Sequence, residues 1–367
     1  MAGVQAALLG LSHPHSLAHL RTLQQLSEVT AIHLWDEDRA ALAAAVAAQP
    51  AKVVGTTTTL DELLNNEAIC FVIAAVRNDR GPELFMRVLE AGKHLLAEKP
   101  IGRQAVDTAR VIDVAQRTGK QLGVCYQNRA RPAVNAARRL IGEGIIGELL
   151  SVEMRLITTQ VQFRNPQHWL FNQAQAGGGM LSWLGCHYLD LMRYTSGDEA
   201  VSVMAEMATR SGEAIDVEDV ATLALRLRSG AVGSLHVGYM LRLSGGGYHN
   251  SGGYDAYAAF NGRLGRIYWS EALAPNSLHV ESAHPTWQEG APIRKLTYPL
   301  GNSPAYGGLP GEQFVRDFIL AAQGQGQAWT TGADALYVAR LVDAAYESSR
   351  SGQRIPIEGR LDEASKR

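Results

Sequence analysis

Up to Tyr126 the chain repeats one pattern: a short apolar run, a turn, then a stretch of helical period. The apolar runs are 4–9, 29–35, 53–54, 71–76, 95–97 and 122–126, and the helical stretches between them are 16–26, 39–48, 60–65, 82–91 and 106–116. Runs this short and this uniformly apolar suit strands covered on both faces. Alternating with helices, they predict an α/β domain built on a doubly wound parallel sheet of the Rossmann kind. Gly92 and Gly119 stand where two of the helices should stop.

Beyond Tyr126 the pattern changes. A helix is expected at 134–143, then longer runs of β character at 149–159, 201–209, 221–228, 232–241 and 257–261, with further short runs at 278–280 and 295–298. Thr222-Leu223-Ala224-Leu225-Arg226-Leu227 alternates, as a strand with one covered face does, and Arg228-Ser229-Gly230-Ala231 has the composition of a hairpin loop. Helices are expected at 313–323 and 333–350. The second half therefore reads as an α+β domain with a large, mostly antiparallel sheet, and the boundary falls between 1–126 and 127–367. An open sheet of this kind needs cover, so a homodimer or homotetramer is expected.

Composition narrows the function. At 46% hydrophobic and 19% charged, the 367 residues can build sizeable cores. A net charge of −2 gives no electrostatic reason to bind nucleic acid or an anionic membrane. Cys70, Cys125 and Cys186 are scattered and odd in number, which is no disulfide framework. No charged segment followed by a long apolar run opens the chain, and nothing approaches a membrane helix. A cytoplasmic protein with a small-molecule substrate is the expectation.

The first strand, its turn, a helix, a second strand and then Asp36 follow the order of a dinucleotide-binding unit. The turn departs from G-x-G-x-x-G. Gly10 is in place, but Ser12 and His15 occupy the second and third glycine positions. Ser12 still lets a pyrophosphate approach, His15 could contact the phosphates or cover the nicotinamide side, and His13 is a further cofactor-binding candidate. Asp36 suits a free ribose 2′-hydroxyl and would repel a 2′-phosphate, so the cofactor is read as NAD rather than NADP; the alternative role for Asp36 is a helix cap. Arg77, Asn78 and Asp79 follow the fourth strand and should edge the cofactor groove. His13, His15 and His19 lie close in sequence without an acid or thiol beside them, so no metal is expected.

Two further stretches carry chemistry. In His94-Leu95-Leu96-Ala97-Glu98-Lys99-Pro100 an apolar strand ends in an acid, a base and a proline that stops it. Ligands of open parallel sheets lie beyond such strand ends, so Glu98 and Lys99 should stand at the cofactor cleft, where Lys99 could touch the cofactor, a substrate hydroxyl or both; the plain alternative is a surface ion pair. Gly177-Gly178-Gly179 opens a helix carrying Trp183, His187 and Asp190, and the glycines can pass close to a ligand or to another backbone. His187 suits proton transfer, or else is a satisfied core histidine.

Together, Glu98-Lys99-Pro100 after the fifth strand and the Gly-Gly-Gly-x-Leu-x-x-x-Gly-x-His-x-x-Asp pattern of residues 177–190 resemble the Gfo/Idh/MocA oxidoreductases. The resemblance extends to Ile146–Val152, Val217–Ala221 and Asp343–Ser348. It implies hydride transfer between a nicotinamide cofactor and a sugar, cyclic polyol or related carbinol. It also implies that Lys99 binds the substrate hydroxyl and assists proton movement, and that His187 accepts the proton. The family usually has an aspartate four residues before that histidine, where this chain has Trp183, which offers a ring face and one N–H but no proton acceptor. Tyr126, Asn128, Arg129, His168 and Trp169 are further candidates to line the substrate site. Tyr248 and His249 belong to the loop 244–253, read either as a mobile lid or as a hairpin tip. A redox-neutral enzyme that retains NAD and a non-catalytic NAD-binding sensor are the alternative readings.

Overall fold

The computed structural model describes residues 3–47, 50–242, 254–270 and 276–357; the loop 244–253 with Tyr248 and His249, and the charged tail after Ile357, lie outside the described residues. The chain divides into two compact units, Met1–Ala130 with Leu300–Leu336, and Arg131–Pro299 with Tyr337–Arg367.

The first unit runs β1 (Val4–Leu9), α1 (Ser16–Gln25), β2 (Val29–Trp35), α2 (Arg39–Ala47), β3 (Val53–Thr57), α3 (Leu60–Leu64), β4 (Ile69–Ala74), α4 (Gly81–Glu90), β5 (His94–Ala97), α5 (Ala105–Thr118) and β6 (Leu122–Val124). Its six strands pair in the order β3-β2-β1-β4-β5-β6, every pair parallel. The order reverses between β1 and β4, so the crevice beyond their carboxyl ends is the natural ligand position of this sheet. Ala6, Leu8, Ile32, Leu34, Phe71 and Ile73 are fully buried in its core. Gly92 and Gly119 both take positive φ at the ends of α4 and α5, as a left-handed helix stop requires.

The second unit comprises α6 (Pro132–Gly142), β7 (Leu149–Thr159), α7 (Gln173–Ala176), α8 (Cys186–Ser196), β8 (Ala200–Ala208), β9 (Val220–Leu227), β10 (Val232–Leu241), β11 (Tyr254–Gly262), β12 (Gly265–Trp269), β13 (Ser277–Ser282), α9 (Pro285–Gln288) and β14 (Ile293–Thr297). Three final elements follow: α10 (Gly308–Ala322), α11 (Gly332–Ser351) and β15 (Ile355–Pro356). A nine-stranded sheet has the order β14-β13-β12-β11-β7-β10-β9-β8-β15. It is antiparallel except where β7 meets β10. In β9 the side chains of Ala221, Leu223, Leu225 and Leu227 are buried while Thr222, Ala224 and Arg226 are exposed, so one face is solvated. The turn into β10 places Gly230 at φ 97°, which a Cβ would strain. No strand was expected at β12, whose Gly265 and Arg266 break the apolar alternation; backbone pairing to both β11 and β13 recruits it.

The cut between the units differs from a single boundary at residue 126. The segment 300–336, with α10, belongs to the first unit. Phe318 of α10 packs edge-on to Phe71 of β4, with ring centroids 6.0 Å apart. A Cβ on Gly123 would stand 2.7 Å from the Phe318 ring, so β6 needs glycine there to admit the helix. Phe314, Val315 and Ile319 join the same core. Thr330 hydrogen-bonds both the N–H and the carbonyl of Val124, closing the outer edge of β6. None of the described helices is long and apolar enough to cross a membrane.

Candidate dinucleotide site and the glycine-turn helix

The turn after β1 begins with Gly10 at φ 84°, where a Cβ would stand 2.2 Å from the Ala75 carbonyl oxygen. Only glycine lets the chain turn there beside β4. Ser12 is exposed, whereas His13 and His15 are each 5% exposed. Asp36, at the end of β2, accepts from the Leu11 N–H at 2.6 Å and the Asp38 N–H at 2.8 Å. It therefore ties the turn to β2 and does not cap α2; Asp38 takes that position by accepting from the Ala40 N–H. Each carboxylate oxygen keeps a lone pair for a ribose hydroxyl, so the donor set fits a dinucleotide.

Glu98 points inward. It is 2% exposed, and its Oε1 lies 3.1 Å from His15 Nδ1 and 2.7 Å from His19 Nε2, while Oε2 accepts from the Lys99 N–H at 3.1 Å. Burial alone would raise the Glu98 carboxyl; the two imidazoles outweigh it and hold the group well below the usual range. A carboxylate only accepts, so the facing nitrogen of each histidine carries its proton. Burial lowers His13 and His15, and the Lys99 charge lowers both further. Lys99 itself is 1% exposed at the carboxyl end of β5. The Lys99–Pro100 peptide is cis.

The fold thus brings an acid and a thiol to the three histidines, Glu98 and Cys125, which the local sequence lacks. The 3.1 and 2.7 Å spacings are those of hydrogen bonds. Donors sharing one tetrahedral ion at about 2.1 Å would stand roughly 3.4 Å apart.

The remaining first-unit candidates divide. Asn78 is buried, and Arg77 forms a paired contact with Asp79 at 3.0 and 2.7 Å, a bond that raises its own pKa. Arg129 is bound to Asp334 at 3.1 Å and to the Trp329 carbonyl at 3.1 Å, so it anchors the returning segment. Tyr126 is buried and Asn128 half-buried. Tyr306 was not foreseen. Its hydroxyl is 3.1 Å from His15 Nδ1, and no local pattern marks a tyrosine so far along the chain as a neighbour of the turn.

In the second unit the glycines admit other parts of the protein. Gly177 ends α7 at φ 81°. A Cβ on Gly178 would stand 2.1 Å from the Tyr346 hydroxyl, and one on Gly179 would stand 1.9 Å from the Glu218 carbonyl oxygen. Glu218 then gathers the helix start, accepting from the Gly179 N–H at 2.8 Å, the Leu181 N–H at 2.8 Å and the Tyr346 hydroxyl at 2.6 Å. Residues Leu181–Gly185 form a π-helical turn before α8, so Trp183 and His187 are separated by a widened turn rather than a regular α-turn. Trp183 is 2% exposed and packs edge-on to Trp169 at 5.9 Å, and Trp169 leans on His168 at 5.4 Å. The Trp183 ring is therefore covered by protein, unlike the open ring face expected of it. His168 accepts from the Leu170 N–H, and burial lowers its pKa. His187 is half-buried and Asp190 buried on α8.

Known proteins fit this description along the chain. Residues 4–126 match the model of an oxidoreductase family with an NAD-binding Rossmann fold, and residues 134–251 match the GFO/IDH/MocA C-terminal domain. Levoglucosan dehydrogenase of Pseudarthrobacter phenanthrenivorans is 26% identical over 351 residues, covering 83% of this chain and 85% of that protein. Inositol 2-dehydrogenase 2 of Saccharopolyspora erythraea is 26% identical over 361 residues, covering 93% and 91%. Among solved structures, levoglucosan dehydrogenase in complex with NADH and levoglucosan aligns with a TM-score of 0.84 at 22% identity, over 97% of this chain and 100% of that one, a likeness of fold. With both domain models matched in order, the chain belongs to the Gfo/Idh/MocA family of NAD-binding oxidoreductases.

Proposed function

We propose that the protein is an NAD-dependent dehydrogenase acting on a carbinol of a sugar, cyclic polyol or related small molecule, with Lys99 and His187 assisting proton transfer. The carrying observation is Lys99, buried at the carboxyl end of β5 and close enough to the turn for its charge to depress His13 and His15. Relatives named for levoglucosan and for inositol support the substrate class. Asp36 favours NAD over NADP, and the turn of Gly10, Ser12, His13 and His15 receives the pyrophosphate at the start of α1.

Bound NAD supplies the hydride acceptor. Lys99 donates to the hydroxyl oxygen and stabilises the negative charge that grows on it. His187 takes the hydroxyl proton. Trp183, Trp169, His168, Tyr126 and Asn128 shape the substrate's surroundings. The roles of Lys99 and His187 come from the motifs that carry the family resemblance. A homodimer or homotetramer completes the reading, supported by the solvated sheet face, and light scattering at micromolar concentration tests it.

The test screens anhydrosugars, inositols, aldoses and aldonates for NADH absorbance with NAD. A substrate that gives steady NADH supports the reading, and one consumed without net NADH indicates retained cofactor. With that substrate, Lys99→Met should lower turnover by about 10²-fold or more while NADH still binds. His187→Ala should lower it by about 10²–10⁴-fold. Near-normal turnover in both variants overturns the assignment.

A further inference from the structure

His15 occupies the position where a dinucleotide turn normally has its third glycine, the place closest to the start of α1. A side chain aimed outward there would stand in the path of the pyrophosphate. Here it aims inward, 5% exposed, with Nδ1 facing Glu98 Oε1. Glu98 explains only part of that orientation. The Tyr306 ring covers the imidazole, with centroids 4.7 Å apart and planes at 38°, and meets His19 edge-on at 5.1 Å. Its hydroxyl is 3.1 Å from the same Nδ1. Since that nitrogen's proton faces the carboxylate, the tyrosine oxygen serves as a second acceptor beside it.

Tyr306 is itself fixed by backbone contacts on both sides. Its N–H donates to Thr22 Oγ1 on α1 at 2.8 Å. Its carbonyl oxygen lies so close to α10 that a Cβ on Gly311 would stand 1.8 Å from it. Just before it, the Pro304 carbonyl accepts from Arg21 Nε at 3.3 Å. The segment is thus pinned along α1, and all of these residues lie within the first unit.

We infer that Tyr306 is a positioning residue of the dinucleotide site: with Glu98 it holds His15 turned inward, so that the turn accepts the pyrophosphate without its third glycine. The inference rests on the turn being the pyrophosphate site. It makes the segment before α10, some 290 residues from the turn, a contributor to NAD affinity.

NADH titration of the full chain, by fluorescence or calorimetry, needs no knowledge of the substrate. Tyr306→Phe should weaken NADH by about 3–10-fold, the usual scale of one hydrogen bond, with the melting temperature little changed. In a His15→Gly background the same substitution should change affinity by less than about twofold, since there is no imidazole left to hold. A merely structural tyrosine would act equally in both backgrounds. Asp36→Ala is the control for the site. If it weakens NADH while Tyr306→Phe does not, the inference falls and the dinucleotide reading stands. If Asp36→Ala, His15→Gly and Tyr306→Phe all leave NADH affinity unchanged, both fall. An equal loss on Tyr306→Phe in both backgrounds also overturns the inference.

Discussion

Two buried glutamates hold the two motifs, Glu98 beside Lys99 and Glu218 beneath the glycine turn, and their carboxyls shift in opposite directions. Exposure does not separate them, at 2% and 7%. Nor does the number of donors, since three face each carboxylate: His15, His19 and the Lys99 N–H at Glu98, and the Gly179 N–H, the Leu181 N–H and the Tyr346 hydroxyl at Glu218. The kind of donor does. Glu98 faces two imidazoles, groups that can carry charge, and their pull overcomes burial. Glu218 faces two amide N–H groups and a phenol, all neutral; burial wins and raises it. In one unit a carboxylate is held as an anion; in the other a similar cage tolerates the acid.

The two therefore contribute to stability over opposite pH ranges. Glu98 has a depressed folded pKa, so its contribution is complete above the ordinary carboxyl value of 4.5 and is lost as pH falls toward its folded value. The largest expected effect follows. Glu98→Gln removes a buried charge from its hydrogen-bonded partners and should destabilise the protein by about 3 kcal/mol at pH 7. The loss should shrink as pH falls below about 4.5. Urea denaturation at pH 7 and near pH 4 checks both; equal losses at the two pH values would remove Glu98 from the comparison.

Much of this arrangement was legible in the sequence, and the gaps have physical causes. Short apolar runs revealed the parallel sheet because burial on both faces leaves a purely apolar signature. Gly10, Gly92 and Gly119 were readable because a positive φ selects glycine. Glu98 stood out, but its inward direction did not: its partners His15 and His19 lie on another element, and sequence spacing says nothing about which way a carboxylate at a strand end turns. The glycines at 177–179 announced a close approach without saying what approaches, and the answer, Glu218 and Tyr346, is distant in sequence. The membership of α10 in the first unit was hidden for the same reason. Its apolar face has helical period whichever sheet it covers.

The second effect sharpens the Glu218 side. Gly179→Ala drives a Cβ to 1.9 Å from a backbone carbonyl, whereas Gly178→Ala meets the tip of a tyrosine at 2.1 Å. Backbone cannot yield as a side-chain tip can. Gly179→Ala should cost about 2–3 kcal/mol and Gly178→Ala roughly half as much. Thermal melts of the two variants rank them, and the reverse order would mean that Tyr346, not the Glu218 backbone, is the rigid wall.

The smallest effect tests the sign of the Glu218 shift. Its folded pKa is raised, so it favours folding when protonated, and that contribution is lost as pH rises from about 4.5 through the folded value. The Tyr346 hydroxyl opposes the shift by donating to the carboxylate, and it stays protonated because burial pushes its own pKa well above the usual tyrosine value. Tyr346→Phe should therefore cost about 1 kcal/mol and raise Glu218 further. The gap between wild type and variant should widen from pH 5 to pH 8, because the lost bond is stronger to the anion than to the acid. In Glu218→Gln, where nothing titrates, the added Tyr346→Phe change should give a gap independent of pH. A gap that stays flat from pH 5 to pH 8 in the protein that keeps Glu218 would mean that Glu218 is held as an anion after all, and that the two glutamates are alike.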